Sequence, residues 1–152
     1  MVMKLHLFRQ CKGVKMIITE IISEKIKTFP SQNDRSDEGS ELVFNGRVRG
    51  VEDGRPILSL DYEYYQGMAE TQLKQLAEET VKKFPIRDLL CQHRVGQVKV
   101  GETSLHVVIW SKHREEGLNA ITYFISELKK RIPIWKWAIL KNGDRIPSMC
   151  SH

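Results

Sequence analysis

The stretch LKKRIPIWKWAIL, residues 128–140, contains the end of a helix and the start of a strand. Upstream of it, residues 114–131 carry apolar side chains at helical spacing, with charged residues at most other positions. Pro133 lacks the N–H that a helix needs and prevents the helix from continuing. The aromatic and β-branched residues that follow are typical of a strand. The stretch therefore predicts a helix that ends near Arg131 and a strand over residues 135–140.

The same two periodicities alternate along the rest of the chain. Residues 68–84 form one apolar stripe at helical spacing, and Pro85 ends that helix. Five further segments are rich in β-branched or aromatic residues and predict strands: residues 16–22, 42–49, 58–64, 89–95 and 104–110. Paired strands between helices favour an α+β fold with largely antiparallel pairing.

Three short segments predict connections. Residues 31–40 (SQNDRSDEGS) are the most polar stretch of the chain and are typical of a loop. Residues 50–56 (GVEDGRP) predict a loop that is too long for a two-residue hairpin turn. Asn142-Gly143, in contrast, is a strong hairpin-turn pair.

Length and composition indicate one folded domain. The chain has 152 residues, of which 41% are hydrophobic and 28% charged, close to globular averages. Residues 1–15 show no regular period, so we expect an N-terminal extension there and a single domain over residues 16–152. Translation starting at Met16 would make that extension dispensable.

Charge and cysteine content argue against several classes of protein. No apolar run approaches the roughly 20 residues of a membrane span, and we expect no secretory signal because the N-terminus has no continuous hydrophobic region. The three cysteines form no CxxC pair, which favours a reducing, cytoplasmic location. The net charge of +5 suits an anionic ligand. A nucleic-acid-binding module is the weaker interpretation, because the basic residues are not interleaved with exposed aromatic residues.

Basic residues form four clusters at the ends of predicted elements: Arg47 with Arg49, Lys112-His113-Arg114, Lys129-Lys130-Arg131, and Lys136. Each cluster alone has a structural explanation, since cations in a last helical turn complement the helix dipole and a histidine before a helix is usually a surface or capping residue. The functional hypothesis is that several clusters meet at one anion pocket, because phosphate binding combines arginine forks with lysine charges. Sequence spacing leaves both interpretations open.

Lys129 and Lys136 are the pair with the most specific chemistry. They are seven positions apart and would share a face of a continuous helix, but Pro133 forces the backbone to turn between them. Two lysines at one site disfavour each other's charge, which would make at least one amine a nucleophile or an acid–base group. Uncorrelated surface lysines are the alternative.

Other catalytic chemistry has little support in the sequence. The chain has no GxxxxGK[ST] or GxGxxG phosphate motif and no HExxH metal motif, and its five histidines are far apart. No metal site and no cofactor are therefore predicted. Cys91 would carry a persulfide only as an exposed thiolate, and its place within a predicted strand favours a buried, inert thiol.

Five segments in order resemble the catalytic (large) subunit of molybdopterin synthase. One such segment would be weak, but their order and gaps match along roughly residues 16–145. The segments are GSELVFNGRVR (39–49), YEYYQGMAE (62–70), HRVG (93–96) with Val98 and Gly101-Glu102, SKHR (111–114), and LKKRIPIWK (128–136).

The resemblance implies a fold, an assembly and a reaction. The fold would be of the α/β hammerhead type with an additional antiparallel β subdomain. The chain would form a homodimer, and a heterotetramer with two small ubiquitin-like sulfur-carrier subunits. Sulfur would pass from the thiocarboxylated C-terminus of that partner to cyclic pyranopterin monophosphate, forming the dithiolene of molybdopterin in molybdenum cofactor biosynthesis.

The resemblance also implies site residues. Lys129 and Lys136 would be catalytic, and Arg49, His113 and Arg114 would hold the phosphorylated pterin. The full substrate-binding set would be Arg47, Val48, Arg49, His113, Arg114, Lys129, Lys136, Trp137 and Ala138.

The chain departs from the family pattern at three places. Ala138 stands where a glutamate is usual, the tail after Ile146 is short, and Gln66-Gly67 replaces a common Pro-Gly in the partner-facing loop. The missing glutamate and tail support an alternative, a non-catalytic paralogue that keeps the fold and the partner contacts.

Overall fold

The computed structural model describes residues 15–27 and 35–148, so the predicted N-terminal extension and part of the polar segment 31–40 lie outside the described residues. No helix of the described ranges is long and apolar enough to cross a membrane. The elements are β1 (Ile17–Ile22), β2 (Ser40–Arg47), β3 (Val51–Glu52), β4 (Arg55–Tyr64), α1 (Met68–Lys83), β5 (Ile86–Arg94), β6 (Gly96–Lys99), β7 (Thr103–Ser111), α2 (Arg114–Arg131), β8 (Ile134–Leu140) and β9 (Arg145–Pro147).

The first sheet has the strand order β1-β5-β7-β2 and packs against both helices. β1 runs parallel to β5, whereas the other two pairs are antiparallel. Leu76 of α1 and Phe124 of α2 pack with Leu89 and Val107 of the sheet, and all four side chains are inaccessible to water. This burial keeps the helices folded, because short isolated helices are marginal in water.

The second sheet has the order β3-β4-β8-β9, with β6 also paired to β4, and every pair in it is antiparallel. Its small core includes Val48, Leu60, Val98 and Ala138. The predicted α+β fold with an additional antiparallel β subdomain is confirmed. The hydrophobic pattern did not predict β3 or β6, since strands of two and four residues show little periodicity.

The expectation of a long loop over residues 50–56 is wrong. β3 and β4 form a hairpin in which Glu52 lies opposite Arg55, so that Asp53-Gly54 is a two-residue turn. Both turn residues have positive φ, 49° for Asp53 and 75° for Gly54. A type I′ turn requires this conformation, and an Asp-Gly pair readily adopts it. The turn holds Glu52 in the second sheet rather than in a loop.

Pro133 carries the chain from the helix layer into the second sheet. α2 ends at Arg131, Ile132 adopts an extended conformation, and β8 begins at Ile134. The carbonyl of Pro133 accepts a hydrogen bond of 3.0 Å from the N–H of Tyr65, which fixes the turn against the end of β4. The residues just before and just after this turn therefore lie at one junction between the two sheets.

A candidate active site between the two sheets

A cavity of about 650 Å³ lies where the first sheet, the end of α2 and the second sheet meet. Phe44 of β2 and Leu105 of β7 supply apolar walls, Leu128 and Lys129 come from α2, and residues 134–137 come from β8. A volume in this range suits a small organic ligand. The first sheet and α2 share one hydrophobic core and the second sheet has its own, so packing holds the walls of the cavity in place.

Among the residues that the structure describes, two arginines and two lysines line the cavity and give it a positive charge. Arg47 and Arg49 come from the end of β2 and the residues after it, Lys129 from the last turn of α2, and Lys136 from β8. The structure thus brings together three of the basic clusters that are separate in the sequence. Arginine and lysine side chains that converge in this way bind phosphate or carboxylate groups.

Lys129 differs from the two basic residues that follow it. Nζ of Lys130 lies 3.7 Å from a carboxylate oxygen of Glu127, one turn back along α2. Arg131 forms a two-pronged ion pair with Glu79 of α1, with N–O distances of 2.6 and 3.1 Å, and this pairing lowers the pKa of Glu79. Lys130 and Arg131 therefore have partners in the helix layer, whereas Lys129 lines the cavity.

Arg47 is held at the rim of the cavity by the loop after β6. Its guanidinium donates two hydrogen bonds, of 3.1 and 2.7 Å, to the carbonyl of Gly101. The N–H of Gly101 donates in turn to the carbonyl of Val48 at 2.8 Å. An ion pair of 3.2 Å between Arg94 and Glu102 braces the same loop. Arg94, Gly101 and Glu102, which belong to the HRVG and Gly-Glu segments, thus support the rim of the cavity.

His93 is a cavity residue that the sequence did not indicate. Its ring is 6% exposed, donates from Nδ1 to the carbonyl of Arg94 at 2.8 Å, and meets Tyr62 edge to face at 5.4 Å. Burial, and to a lesser degree the charge of Lys136, lowers the pKa of His93 to about 4, so the ring is neutral at pH 7. One signal in the sequence could have identified His93 as a buried residue. Side chains alternate along a strand, and His93 falls at a core-facing position near the end of β5.

Glu52 is the second cavity residue that the sequence did not indicate. It is the acidic residue among the described lining residues, it lies on β3, and it is 7% exposed. Its carboxylate accepts a hydrogen bond from the hydroxyl of Ser148. The N–H of Ser148 donates to the carbonyl of Lys136 at 3.0 Å, which places Glu52 beside β8. Glu52 was not identified from the sequence, because residues 50–56 were assigned to a loop.

Comparison with known proteins identifies the family that has this fold and cavity. The family model described as MoaE protein matches residues 18–131, more than half of the chain. The chain belongs to the MoaE protein family. The molybdopterin synthase catalytic subunit of Pyrococcus abyssi is 38% identical over 109 residues, which are 72% of this chain and 74% of that protein. The resemblance carried by the five sequence segments is confirmed.

Solved structures related to the MoaE family have the same fold. Molybdopterin synthase from Staphylococcus aureus is 31% identical, with a TM-score of 0.73 over 83% of this chain and 93% of that one. A complex of subunits 1 and 2 of molybdopterin-converting factor from Helicobacter pylori contains a chain with 25% identity and a TM-score of 0.66, over 86% of this chain and 89% of that one. Membership of the MoaE family places the chain in molybdenum cofactor biosynthesis.

His113 and Arg114, which the MoaE resemblance assigns to the substrate, do not line the cavity of their own chain. His113 caps the start of α2 and Arg114 is its first residue, sixteen and fifteen residues before Lys129. At a rise of 1.5 Å per residue, the helix separates them by roughly 22 Å. The carbonyl of His113 accepts a hydrogen bond of 2.6 Å from Ser111, which fixes this end of α2 to β7.

The remaining residues of the substrate-binding set expected from the sequence lie in or beside the second sheet. Trp137 lines the cavity, and the guanidinium of Arg145 lies 4.6 Å from the centre of its ring. Val48 and Ala138 are 3% and 0% exposed and belong to the core of that sheet. A contact between either residue and a substrate would therefore involve its main chain.

The described part of this MoaE-family chain contains one cysteine and no cluster of potential metal ligands. Within residues 15–27 and 35–148, no group of three or more histidine, cysteine, aspartate or glutamate side chains could hold a metal ion. Cys91 is fully buried in β5, and burial raises the pKa of its thiol. The predicted buried, inert thiol is thus what the structure shows.

Proposed function

We propose that this chain is the sulfur-transferring subunit of a molybdopterin synthase, acting on cyclic pyranopterin monophosphate. The observation that supports this most is the meeting of Arg47, Arg49, Lys129 and Lys136 in one cavity. Two anions take part in the reaction, the substrate phosphate and a thiocarboxylate, and converging cations stabilise both. Aromatic side chains also line the cavity and would provide packing contacts for the pterin ring.

The proposed sulfur donor is the thiocarboxylated C-terminus of a small ubiquitin-like subunit. The related Helicobacter pylori protein was solved as a complex of two different subunits, which supports a partner of this kind. Tyr65, Met68 and Trp135 are 59%, 50% and 45% exposed, and Trp135 also lines the cavity. Exposed large apolar side chains are typical of protein-binding surfaces, and Trp135 would place such a surface beside the cavity that the partner's extended tail would enter.

Lys129 and Lys136 are the proposed catalytic residues. They reach the cavity from two different layers, so a bound group between them would meet positive charge from both sides. As ammonium groups they would stabilise negative charge that develops on the carboxyl group during transfer. As a neutral amine, either would serve as a nucleophile or a proton acceptor.

The proposed assembly is a homodimer with two small subunits, located in the cytoplasm. His113 and Arg114 lie too far along α2 to reach the cavity of their own chain. A second copy of the chain would have to bring them to the phosphate if both assignments hold. A homodimer satisfies the two assignments together, because its symmetry presents the same residues at two equivalent cavities.

The test is reconstitution with the precursor and the thiocarboxylated partner, followed by an assay for molybdopterin. We expect turnover by the wild type and a loss of about 100-fold or more in Lys136→Ala, with a strong loss also in Lys129→Ala. Lys130→Ala is the matched control and should keep nearly full activity, because Lys130 pairs with Glu127 outside the cavity.

Equal rates for the wild type and Lys136→Ala would contradict the catalytic assignment. No turnover by the wild type, with intact binding of the partner, would instead favour the non-catalytic paralogue. One observation favours this second candidate function, the non-catalytic paralogue: Ala138 stands at a position where the family usually has a glutamate.

A further inference from the structure

We propose that Glu52 is a specificity residue that binds the N–H edge of the pterin, on the side of the cavity formed by β3 and β9. This rests on the proposed function, because it states which part of that substrate this wall of the cavity receives. The basic residues would hold the phosphate, and the carboxylate would hold the paired N–H donors of the heterocycle. Glu52 would thus set the orientation of the ligand.

The position of Glu52 is fixed by contacts that connect distant parts of the chain. The Asp53-Gly54 turn holds it in β3 opposite Arg55. The hydroxyl of Ser148 donates to its carboxylate, and the main chain of Ser148 is bonded to the carbonyl of Lys136. The carboxylate therefore belongs to the same rigid wall as Lys136.

Burial makes Glu52 different from the acidic residues that stabilise the surface. Glu63 and Glu79 are paired with arginines, at 2.5 Å from Arg145 and 2.6 Å from Arg131. Glu52 is 7% exposed, and its hydrogen-bond donor is the neutral hydroxyl of Ser148. Burying a carboxylate is unfavourable unless donors surround it. A carboxylate has about four acceptor positions, so the bond from Ser148 leaves capacity towards the cavity.

A ligand that carries both an anion and N–H donors matches this distribution of charge. A pterin has an amino group next to a ring N–H, and the two point in the same direction. A carboxylate accepts such a pair through two parallel hydrogen bonds, as it does from an arginine. Tyr62 and Trp137 line the same cavity, and these aromatic side chains would pack against the ring between the two charged ends of the ligand.

The two halves of the ligand can be tested separately with the full-length chain. The probes are 6-hydroxymethylpterin, which has no phosphate, followed by its fluorescence, and inorganic pyrophosphate, followed by calorimetry. Glu52→Gln keeps the shape and an acceptor for Ser148 but removes the charge. We expect it to weaken pterin binding about tenfold, as for the loss of a charge-assisted hydrogen bond. Pyrophosphate binding should be unchanged or tighter, because a negative charge has left the cavity.

Two further variants control for charge and for folding. Asp53→Asn removes the same charge one residue away, at an exposed turn where asparagine tolerates positive φ, and both affinities should stay within about twofold. Ser148→Ala keeps the carboxylate but removes the bond that positions it. Ser148→Ala should weaken pterin binding by about threefold and leave pyrophosphate binding unchanged. If Glu52→Gln does not fold, Ser148→Ala is used in its place to test the proposal.

Three results would overturn the proposal: no saturable pterin binding by the wild type, pterin binding in folded Glu52→Gln within about twofold of the wild type, or an equal loss of both probes. These results are distinct from a failure of the proposed function. A wild type that binds pterin through Glu52 but makes no molybdopterin would contradict the sulfur transfer alone. If the wild type is active but Glu52→Gln binds pterin as tightly as the wild type does, only the role of Glu52 is contradicted.

Discussion

At the scale of single residues, neighbours in the sequence have different roles because different groups hold their side chains. Lys130 and Arg131 are paired with carboxylates of the helix layer, whereas Lys129 lines the cavity. His93 is buried while the side chain next to it, Arg94, forms an ion pair at the rim. Environment, rather than residue type, separates the candidate functional residues from the structural ones.

His93 should make the stability of the fold depend on pH. Burial lowers its pKa from 6.5 to about 4, so the unfolded chain binds the proton more tightly than the folded chain. The contribution of the neutral ring is fully present above the unfolded pKa and is lost as the pH falls from 6.5 towards 4. We expect the free energy of unfolding to drop by about 3 kcal/mol over this window through His93.

Urea unfolding at about pH 7 and about pH 4 measures this effect. His93→Gln, which has no titrating ring, should show a drop smaller than that of the wild type by most of this amount. Equal drops in the two proteins would show that other groups cause the acid sensitivity.

Introducing a glutamate at position 138 should destabilise the fold rather than increase the activity. Ala138 is fully buried and lies opposite Leu60 and Ile146 on the neighbouring strands. A carboxylate there would lose its hydration among apolar side chains, so Ala138→Glu should lower the free energy of unfolding by about 2–4 kcal/mol. Chemical denaturation and the reconstituted assay check this. A variant with wild-type stability and faster turnover would contradict it.

At the scale of elements, the start of α2 depends on a close approach to the first sheet. A Cβ atom at Gly117 would lie 2.7 Å from Oγ of Ser111 and 3.1 Å from Cδ1 of Leu42. Ser111 is buried and bonded to the carbonyl of His113, so it cannot move away freely. Gly117→Ala should therefore destabilise the protein by about 1–3 kcal/mol, although alanine favours helices.

Thermal unfolding tests this expectation, with Asn119→Ala as the control. Asn119 is exposed on the same turn of α2, so its replacement should leave the melting temperature unchanged or slightly higher. If Gly117→Ala melts no lower than the wild type, the sheet and the helix can move apart at this point without a loss of stability.

The elements themselves were predictable where their pattern is long. α2 has the predicted bounds and α1 ends one residue earlier, because each has several turns of apolar stripe followed by a proline. β3 and β6 were not predicted, since two and four residues are too few for a period. Their partners on β4 give them their structure.

At the scale of the whole molecule, a mixture of two inactive variants can show whether the active site is shared between chains. We expect Arg114→Ala and Lys136→Ala each to be nearly inactive alone. If Arg114 acts on the cavity of the other copy, each mixed dimer has one intact site, and a random mixture regains roughly a quarter of wild-type activity. The reconstituted assay on co-refolded chains measures this.

If Arg114 instead acts within its own chain, no mixed dimer has an intact site, because each chain carries one of the two defects. If Arg114 has no role, Arg114→Ala is active without any mixing. The absence of any recovery would therefore contradict the shared site. A monomer in sedimentation at micromolar concentration would contradict the homodimer itself.

By itself, the sequence determined the two helices, most strands, the α+β class and the family. These rest on local periodicity, on prolines that stop helices, and on the order of short segments along the chain. Such features depend on residues close together in the sequence. They can therefore be recognised without knowledge of the tertiary contacts.

Only the tertiary structure decided which side chains share the cavity. It joined Lys129 to Lys136, left His113 and Arg114 at the far end of α2, and added a buried carboxylate at Glu52. The contact that fixes Glu52 joins it to a serine 96 positions later in the chain. No local period contains such a pairing, because it arises only when the hydrophobic effect packs distant elements against one another.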